Sequence, residues 1–154
     1  MSTSAVDQQG TVRTCLFILA GQPFAVDVQY TREVVVLDDC TIVPRAPSQL
    51  VGVANLRGLI LPLLDIGPLL GLPPRRIAGG TKALVIQLAA VQVAVLIDDV
   101  LRLESFDEIT PFGDAARSEC EEFGMGLLPW GNRLVTLLNV PKILEALRIG
   151  SKGG

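Results

Sequence analysis

The stretch VGVANLRGLILPLLDI, Val51 to Ile66, sets a single strong charge, Arg57, between a loop amide, Asn55, and a glycine, Gly58. An apolar strand, Leu59 to Asp65, follows directly. Pro62 inside it favours an edge or a bulge over a central place, because proline cannot donate to a ladder. Ile66 to Leu72 is predicted as a short helix with Pro68 in its first turn. Upstream, Pro44, Pro47 and Ser48 form a loop, with Ser48 placed to cap one helical turn before Gly52. The stretch holds no nucleophile beside a base, no metal cluster and no phosphate cradle. Its character is that of a surface that holds other proteins.

Outward from it, β-prone runs dominate. Cys15 to Ala20 and Phe24 to Val28 read as a hairpin around Gly21-Gln22-Pro23. Tyr30 to Leu37, with Val34, Val35 and Val36, continues as a strand because β-branched side chains suit a pleated surface. Pro73 to Gly80 is a linker. Lys82 to Leu88 and Val91 to Ile97 are strands around Ala89-Ala90, and Val100 to Ser105 is another. Phe106 to Gly124 is polar and irregular, with a helical turn near Ala115 to Cys120. Leu134 to Leu138 is a strand, and Pro141 to Leu147 is a helix with Ile143, Leu144 and Leu147 on one face. The class is mainly β. Leu63-Leu64-Asp65-Ile66 with Leu69-Leu70 parallels Leu137-Leu138-Asn139-Val140 with Ile143-Leu144, and Gln22 to Asp27 parallels Gln92 to Asp98. These parallels predict a duplicated β-meander and two similar lobes.

Composition narrows the function. In 154 residues, 49% are hydrophobic and 19% charged, with a mean hydropathy of +0.48, too apolar for disorder. The excess suits strands buried on both faces or apolar surface kept for partners. A net charge of −3 and a pI near 4.9 oppose nucleic-acid binding, which needs clustered Lys and Arg. Arg75-Arg76 is the sole adjacent basic pair and reads as solvated loop charge. Cys15, Cys40 and Cys120 have no Cys-x-x-Cys spacing and read as free thiols of a reducing cytosol. The polar Met1 to Gly10 lacks an apolar signal core, and no apolar run is long enough to span a membrane. The expectation is a cytoplasmic chain without membrane insertion.

Catalysis finds no support. There is no His, the commonest general base and metal ligand. Asp38-Asp39, Asp98-Asp99 and Glu121-Glu122 are adjacent residues, which point to opposite faces on a strand and make poor acid/base dyads. No dinucleotide, P-loop or nucleophile-elbow motif occurs, and Gly79-Gly80-Thr81-Lys82 lacks the spacing of a phosphate loop. No cofactor, metal or catalytic residue is expected. Phe123-Gly124-Met125-Gly126 with Trp130 reads as a core anchor with tight turns ahead of a partner contact. Arg57 can pair bidentately with a carboxylate, and Glu33 is the obvious one. The pair either fixes a loop or faces a partner, and one residue can serve both.

Pro47 followed by Val51-Gly52-Val53-Ala54-Asn55-Leu56-Arg57-Gly58, then Ile60, Pro62 and Asp65-Ile66, resembles the signature of the CheW family of chemotaxis coupling proteins. The resemblance runs from about Thr14 to Leu147. It includes Tyr30-Thr31-Arg32-Glu33-Val34, with Glu33 at the family's usual acidic position, Ile97-Asp98-Asp99-Val100, Asp107 to Pro111, and Gly131 to Leu144. Asn139 stands where an Asp is common, and Phe112 to Cys120 matches poorly. The resemblance implies two intertwined five-stranded SH3-like β-barrels sharing a core, with short helices after the last strands. It implies flexible tails at 1–12 and 149–154 around one domain at 13–148, complete in itself rather than a piece of a kinase.

The resemblance also implies a non-enzymatic adaptor between methyl-accepting chemoreceptor tips and the regulatory domain of the histidine kinase CheA, at membrane-associated arrays. Receptor tips would use an apolar groove between lobes, and kinase domains would pair with the lobes end to end. Carried over residue by residue, Glu33, Gly52, Asn55, Arg57 and Gly58 bind partners or shape the partner surface, and Val34 lines the groove. Two other readings remain at this point: a coupling protein of twitching motility or development, and a small β-barrel that binds a ligand or catalyses a reaction.

Overall fold

Side-chain burial along the chain sets the strands of the computed structural model, which describes residues 10–37, 40–42, 50–74, 80–113 and 118–147. The strands are β1 (Val12–Leu19), β2 (Gln22–Asp27), β3 (Thr31–Leu37), β4 (Cys40–Ile42), β5 (Leu50–Leu56), β6 (Leu59–Leu64), β7 (Thr81–Leu88), β8 (Val91–Ile97), β9 (Asp99–Phe106), β10 (Gly124–Trp130) and β11 (Arg133–Leu138). Short helices α1 (Glu119–Glu122) and α2 (Val140–Ala146) and 3-10 turns at Val28–Tyr30 and Gly67–Leu70 complete the described elements. β3 alternates half-buried and exposed residues down to buried Leu37, so one of its faces is wet. β7 and β8 instead carry unbroken buried runs, Ala83 to Ile86 and Val93 to Ile97, and are covered on both faces.

Two sheets form, in the orders β10-β11-β2-β1-β9 and β3-β7-β8-β6-β5-β4. The expected five strands per lobe hold for the first sheet. The second reaches six because β4, which starts three positions after β3 ends, is a separate three-residue strand pairing with β5 from Cys40–Ala54 to Ile42–Gly52. Along the chain β3 and β4 therefore reach the two opposite ends of that sheet order. The first sheet uses a similar device: beyond β9, Thr110 and Leu127 of β10 exchange backbone hydrogen bonds of 2.7 and 2.8 Å, joining the ends of the order. Both sheets are thus curled, as an SH3-like barrel requires.

The two similar lobes are present, but they are not the two halves of the chain. The first lobe takes the β1–β2 hairpin from the first half and β9, β10 and β11 from the second. The other takes β7–β8 from the second half and β3 to β6 from the first. In each, a strand of the far half runs parallel to the hairpin: Leu63 and Leu64 lie opposite Ala94 and Val95, and Thr136 and Leu137 lie opposite Phe24 and Ala25. The halves are intertwined.

Alternation then divides the apolar side chains among three clusters. Along β1, Leu16 enters the first lobe with Phe106, Leu128 and Val135, while neighbouring Phe17 enters a core shared by both lobes with Phe24, Leu64, Leu84, Ile97 and Ile143. Leu37, Leu61, Leu63, Val85 and Leu96 fill the second lobe. Helix α2 closes the shared core with Val140, Ile143 and Leu144, has Pro141 in its first turn, and is capped by Asn139, whose Oδ1 accepts the Lys142 N–H at 3.1 Å. The departure at Asn139 thus leaves a competent helix cap. In the other lobe Asp65 holds the corresponding place, buried, its Oδ1 accepting the Gly67 N–H at 3.0 Å.

Several expectations need correction. β6 lies between β5 and β8, not at an edge; Pro62 falls one residue before its pairing with β8 begins, where no ladder bond to that strand is lost. The first hairpin turns at Ala20-Gly21, not at Gly21 to Pro23, with φ of 52° and 78°. Two positive φ values give the primed turn whose twist matches its strands, so Gln22 and Pro23 are already paired with Leu19 and Ile18. Val51 to Leu56 is strand rather than loop, and Gly124 to Trp130 is strand rather than turns. Phe123 just before it and Trp130 at its end are half-buried against two cores, while Met125 within it is exposed. The helical turn capped by Ser48, the carboxylates Asp38-Asp39, the Arg75-Arg76 pair, residues 1–9 and the tail at 149–154 lie outside the described residues. The tail expected at 1–12 runs too far, because Val12 opens β1 and is buried.

Gly126 shows how tightly the first lobe closes. A Cβ there would overlap Ile109 Cγ2 and sit 3.0 Å from the Thr110 carbonyl oxygen, on the closing bridge itself. Gly126→Ala is expected to cost about 1–3 kcal/mol by overpacking, read as a lower denaturation midpoint with an unchanged m-value.

Between the two sheets, Lys82 Nζ on β7 donates to Asp99 Oδ1 on β9 at 2.7 Å. That hydrogen bond, then the Val100 N–H and the lysine charge, hold the Asp99 carboxyl below its usual range. Folding therefore favours the ionised form. Its contribution is present above the ordinary carboxylate range and is lost as pH falls through the lowered value. The melting-temperature gap between the wild type and Asp99→Asn should be constant near neutrality and narrow as pH falls below the ordinary carboxylate range.

Candidate protein-binding surface

Arg57 and Gly58 form the two-residue turn between β5 and β6, closed by the Leu56–Leu59 pair. Both have positive φ, 51° and 87°. Gly58 has open space where a Cβ would stand, so its requirement is conformational rather than steric. Asn55 holds the turn: its Oδ1 accepts the Gly58 N–H at 2.8 Å. The sequence order Asn-x-x-Gly is thus one small device, an amide that satisfies the backbone of a tight turn.

The turn aims Arg57 at β3. In the sheet order β3 and β5 are far apart, but the curl brings them face to face, and Arg57 Nη2 donates to Glu33 Oε2. Glu33 is presented by a bulge that leaves Arg32 as the extra residue between Thr31 and Glu33. Arg32 in turn donates its Nε to Gln87 Oε1 at 2.7 Å. The Arg57 side chain is 69% exposed and that of Glu33 35%. The hydrogen bond to Glu33, and its charge, push the high Arg57 pKa further up, so the guanidinium stays charged. The pair straps one barrel across its open side and leaves most of the arginine fork facing water.

Beneath the strap, β3 and β5 flank a cleft of about 230 Å³ lined by Val35, Leu37, Ala54, Asn55, Leu56 and Leu61 among others. The two elements joined by the strap also carry exposed apolar side chains: Val34 and Val36 on β3, and Leu59 and Ile60 on β6, the last 58% exposed. Exposed apolar side chains on the elements that carry a paired charge suit an interface.

Of the six expected residues, the structure joins four directly, Glu33 to Arg57 and Asn55 to Gly58. Val34 is exposed beside Glu33 but does not line the cleft between β3 and β5. Gly52 is buried in β5, opposite Leu63 and Ile42 at a bulge; it shapes the wall and has no face for a partner. Val36, Leu59 and Ile60 were missed. Their signal was available in the alternation of β3 and in the place of Leu59 and Ile60 just past a tight turn.

Aligning the lobes by their buried strand ends, Leu37 with Phe106 and Leu64 with Leu138, puts Leu103 in the place of Val34 and Leu134 in that of Ile60. All four are exposed. Gly131 replaces Arg57 and Arg102 replaces Glu33, so this strap is particular to one lobe. Among the described residues no group of three His, Cys, Asp or Glu is placed to hold a metal ion, and no helix is long and apolar enough to cross a membrane.

Two interlocked β lobes around one core, with a strapped turn and apolar residues on the outside, define a scaffold of the SH3-like kind. The chain belongs to the CheW-like domain family, whose model matches residues 13–148. It is 31% identical over 143 residues to the probable chemotaxis protein CheW of Rhizobium etli, covering 90% of this chain and 88% of that one. It is 29% identical to the chemotaxis protein CheW of Rhizobium meliloti, over 84% and 85% of the two chains. In fold it is similar to the scaffolding protein TtCheW from Thermoanaerobacter tengcongensis, with a TM-score of 0.70 at 22% identity, covering 82% of this chain and 87% of that one. The family consists of scaffold and adaptor proteins, and this chain is an adaptor rather than an enzyme.

Proposed function

We propose that this chain is a chemotaxis coupling protein that joins the cytoplasmic tip of methyl-accepting chemoreceptors to the regulatory domain of the histidine kinase CheA. Its place of work is the cytoplasm, at membrane-associated receptor arrays, and it acts by binding alone. The observation that carries this reading is the Glu33–Arg57 strap: a largely exposed guanidinium on the turn that leads into exposed Leu59 and Ile60, paired to a strand that exposes Val34 and Val36. Charge supplies register and specificity there, and the apolar neighbours supply the buried area. Leu103, Met125 and Leu134 on the other lobe give a second surface, so one chain can hold two partners at once.

The test is capture of the purified chain by immobilised kinase regulatory domain, by receptor-tip fragments from the same cell, and then by both together. A ternary complex is expected. Failure to bind either fragment at micromolar concentration would overturn the reading.

A further inference from the structure

The ladders within either half of the chain are hairpins: β1 with β2, β4 and β6 about β5, β7 with β8, and β10 with β11. Every ladder that assembles the lobes crosses between halves: β1 with β9, β2 with β11, β3 with β7, and β6 with β8. The shared core is split in the same way, with Phe17, Phe24 and Leu64 from the first half and Leu84, Ile97 and Ile143 from the second. Isolated hairpins are marginal in water, so each half is complete only against its complement. Nothing in these contacts requires the complement to come from the same chain.

We propose that two copies of this chain exchange halves, each double-lobed unit combining residues 12–70 of one copy with residues 81–146 of the other. All crossing ladders and the whole shared core are preserved, so the exchanged form differs only in the connection between halves. The connection between residues 70 and 81 is short, and a short connection gives the intramolecular form an effective concentration on the order of millimolar. The single-chain form therefore prevails in dilute solution, and exchange grows where copies are crowded while folding. Once formed, either form is trapped, because release requires breaking every crossing ladder.

Complementation between full-length chains tests this. Phe17→Asp destroys the first half's contribution to the shared core, and Val135→Asp destroys the second half's contribution to the first lobe's core; both side chains are almost wholly buried. Each variant alone is expected to be unfolded. Refolded together, they should yield one native unit for every two chains, seen as recovered near-UV circular dichroism in a species of dimer mass. The intact halves of that unit come from different copies. Phe17→Asp mixed with Leu64→Asp, both in the first half, should recover nothing. No recovery in the first mixture, or equal recovery in the second, would overturn half exchange.

Discussion

Arg57→Asp is expected to weaken binding of the kinase regulatory domain about 10- to 100-fold, the scale for removing one charge-assisted contact from an interface. The melting temperature should move by no more than about 2 °C, as for other exposed substitutions. Asp is the informative replacement because short polar side chains tolerate the positive φ of this turn, so the β5–β6 hairpin is kept. It also sets a second carboxylate against Glu33, which breaks the strap. Reversing the pair, with Glu33→Arg and Arg57→Glu together, separates the arginine's two roles. The strap is remade with its charges exchanged, so thermal stability returns while binding, measured by titration calorimetry, stays weak. Full recovery of binding in the reversed pair would mean that the arginine only shapes the surface and never meets the partner.

Phe17→Ala should be the most damaging of the simple truncations. Phe17 is 1% exposed, lies 6.1 Å from the Phe24 ring, and enters the core that both lobes share. Removing the ring leaves a cavity that the crossing strands cannot close, at a cost of about 3–5 kcal/mol. At roughly 2–4 °C per kcal/mol for a chain of this size, the melting temperature should fall by roughly 6–20 °C. Because the core belongs to both lobes, the transition should stay single, with near- and far-UV circular dichroism coincident. Two separated transitions would show that the lobes are independent, contrary to their strand exchange.

Much of this architecture is legible in the residues. The β-branched and apolar runs of β1, β3, β7 and β8 announce themselves locally, and α2 shows its proline, its cap and its one-sided apolar face. The parallel between Leu63-Leu64-Asp65 and Leu137-Leu138-Asn139 marks the duplication, and in three dimensions these segments occupy matching places. β5 and β10 were illegible for one reason. Gly52, Ala54 and Asn55 in the first, and Gly124, Gly126 and Pro129 in the second, have poor strand propensity. They are strands because β6 and β11 pair with them. Which half completes which lobe is likewise invisible, since no local pattern records a partner 31 to 112 positions away.

At the candidate surface, the Arg57–Glu33 pairing follows from charge and spacing, and the structure supports it with a turn, a bulge and a curled sheet. The exposed Val36, Leu59 and Ile60 lay hidden inside runs that read as plain strand. Gly52 stands apart: it is buried in β5 at a bulge, where it shapes the wall of the surface rather than facing a partner.

Strand exchange has a consequence for how the protein is made. Ribosomal synthesis delivers the β1–β2 hairpin first, but β9, which flanks it, emerges some eighty positions later, and β11 closes it only near the end. The first lobe therefore waits, unfinished, while nearly the whole chain is translated. The second lobe, β3 to β8, is contiguous in the chain and is synthesised first, whereas the first must condense late through distant pairings, which are slow to form. During that interval the β1–β2 hairpin stands without β9 and β11, and its apolar faces are uncovered.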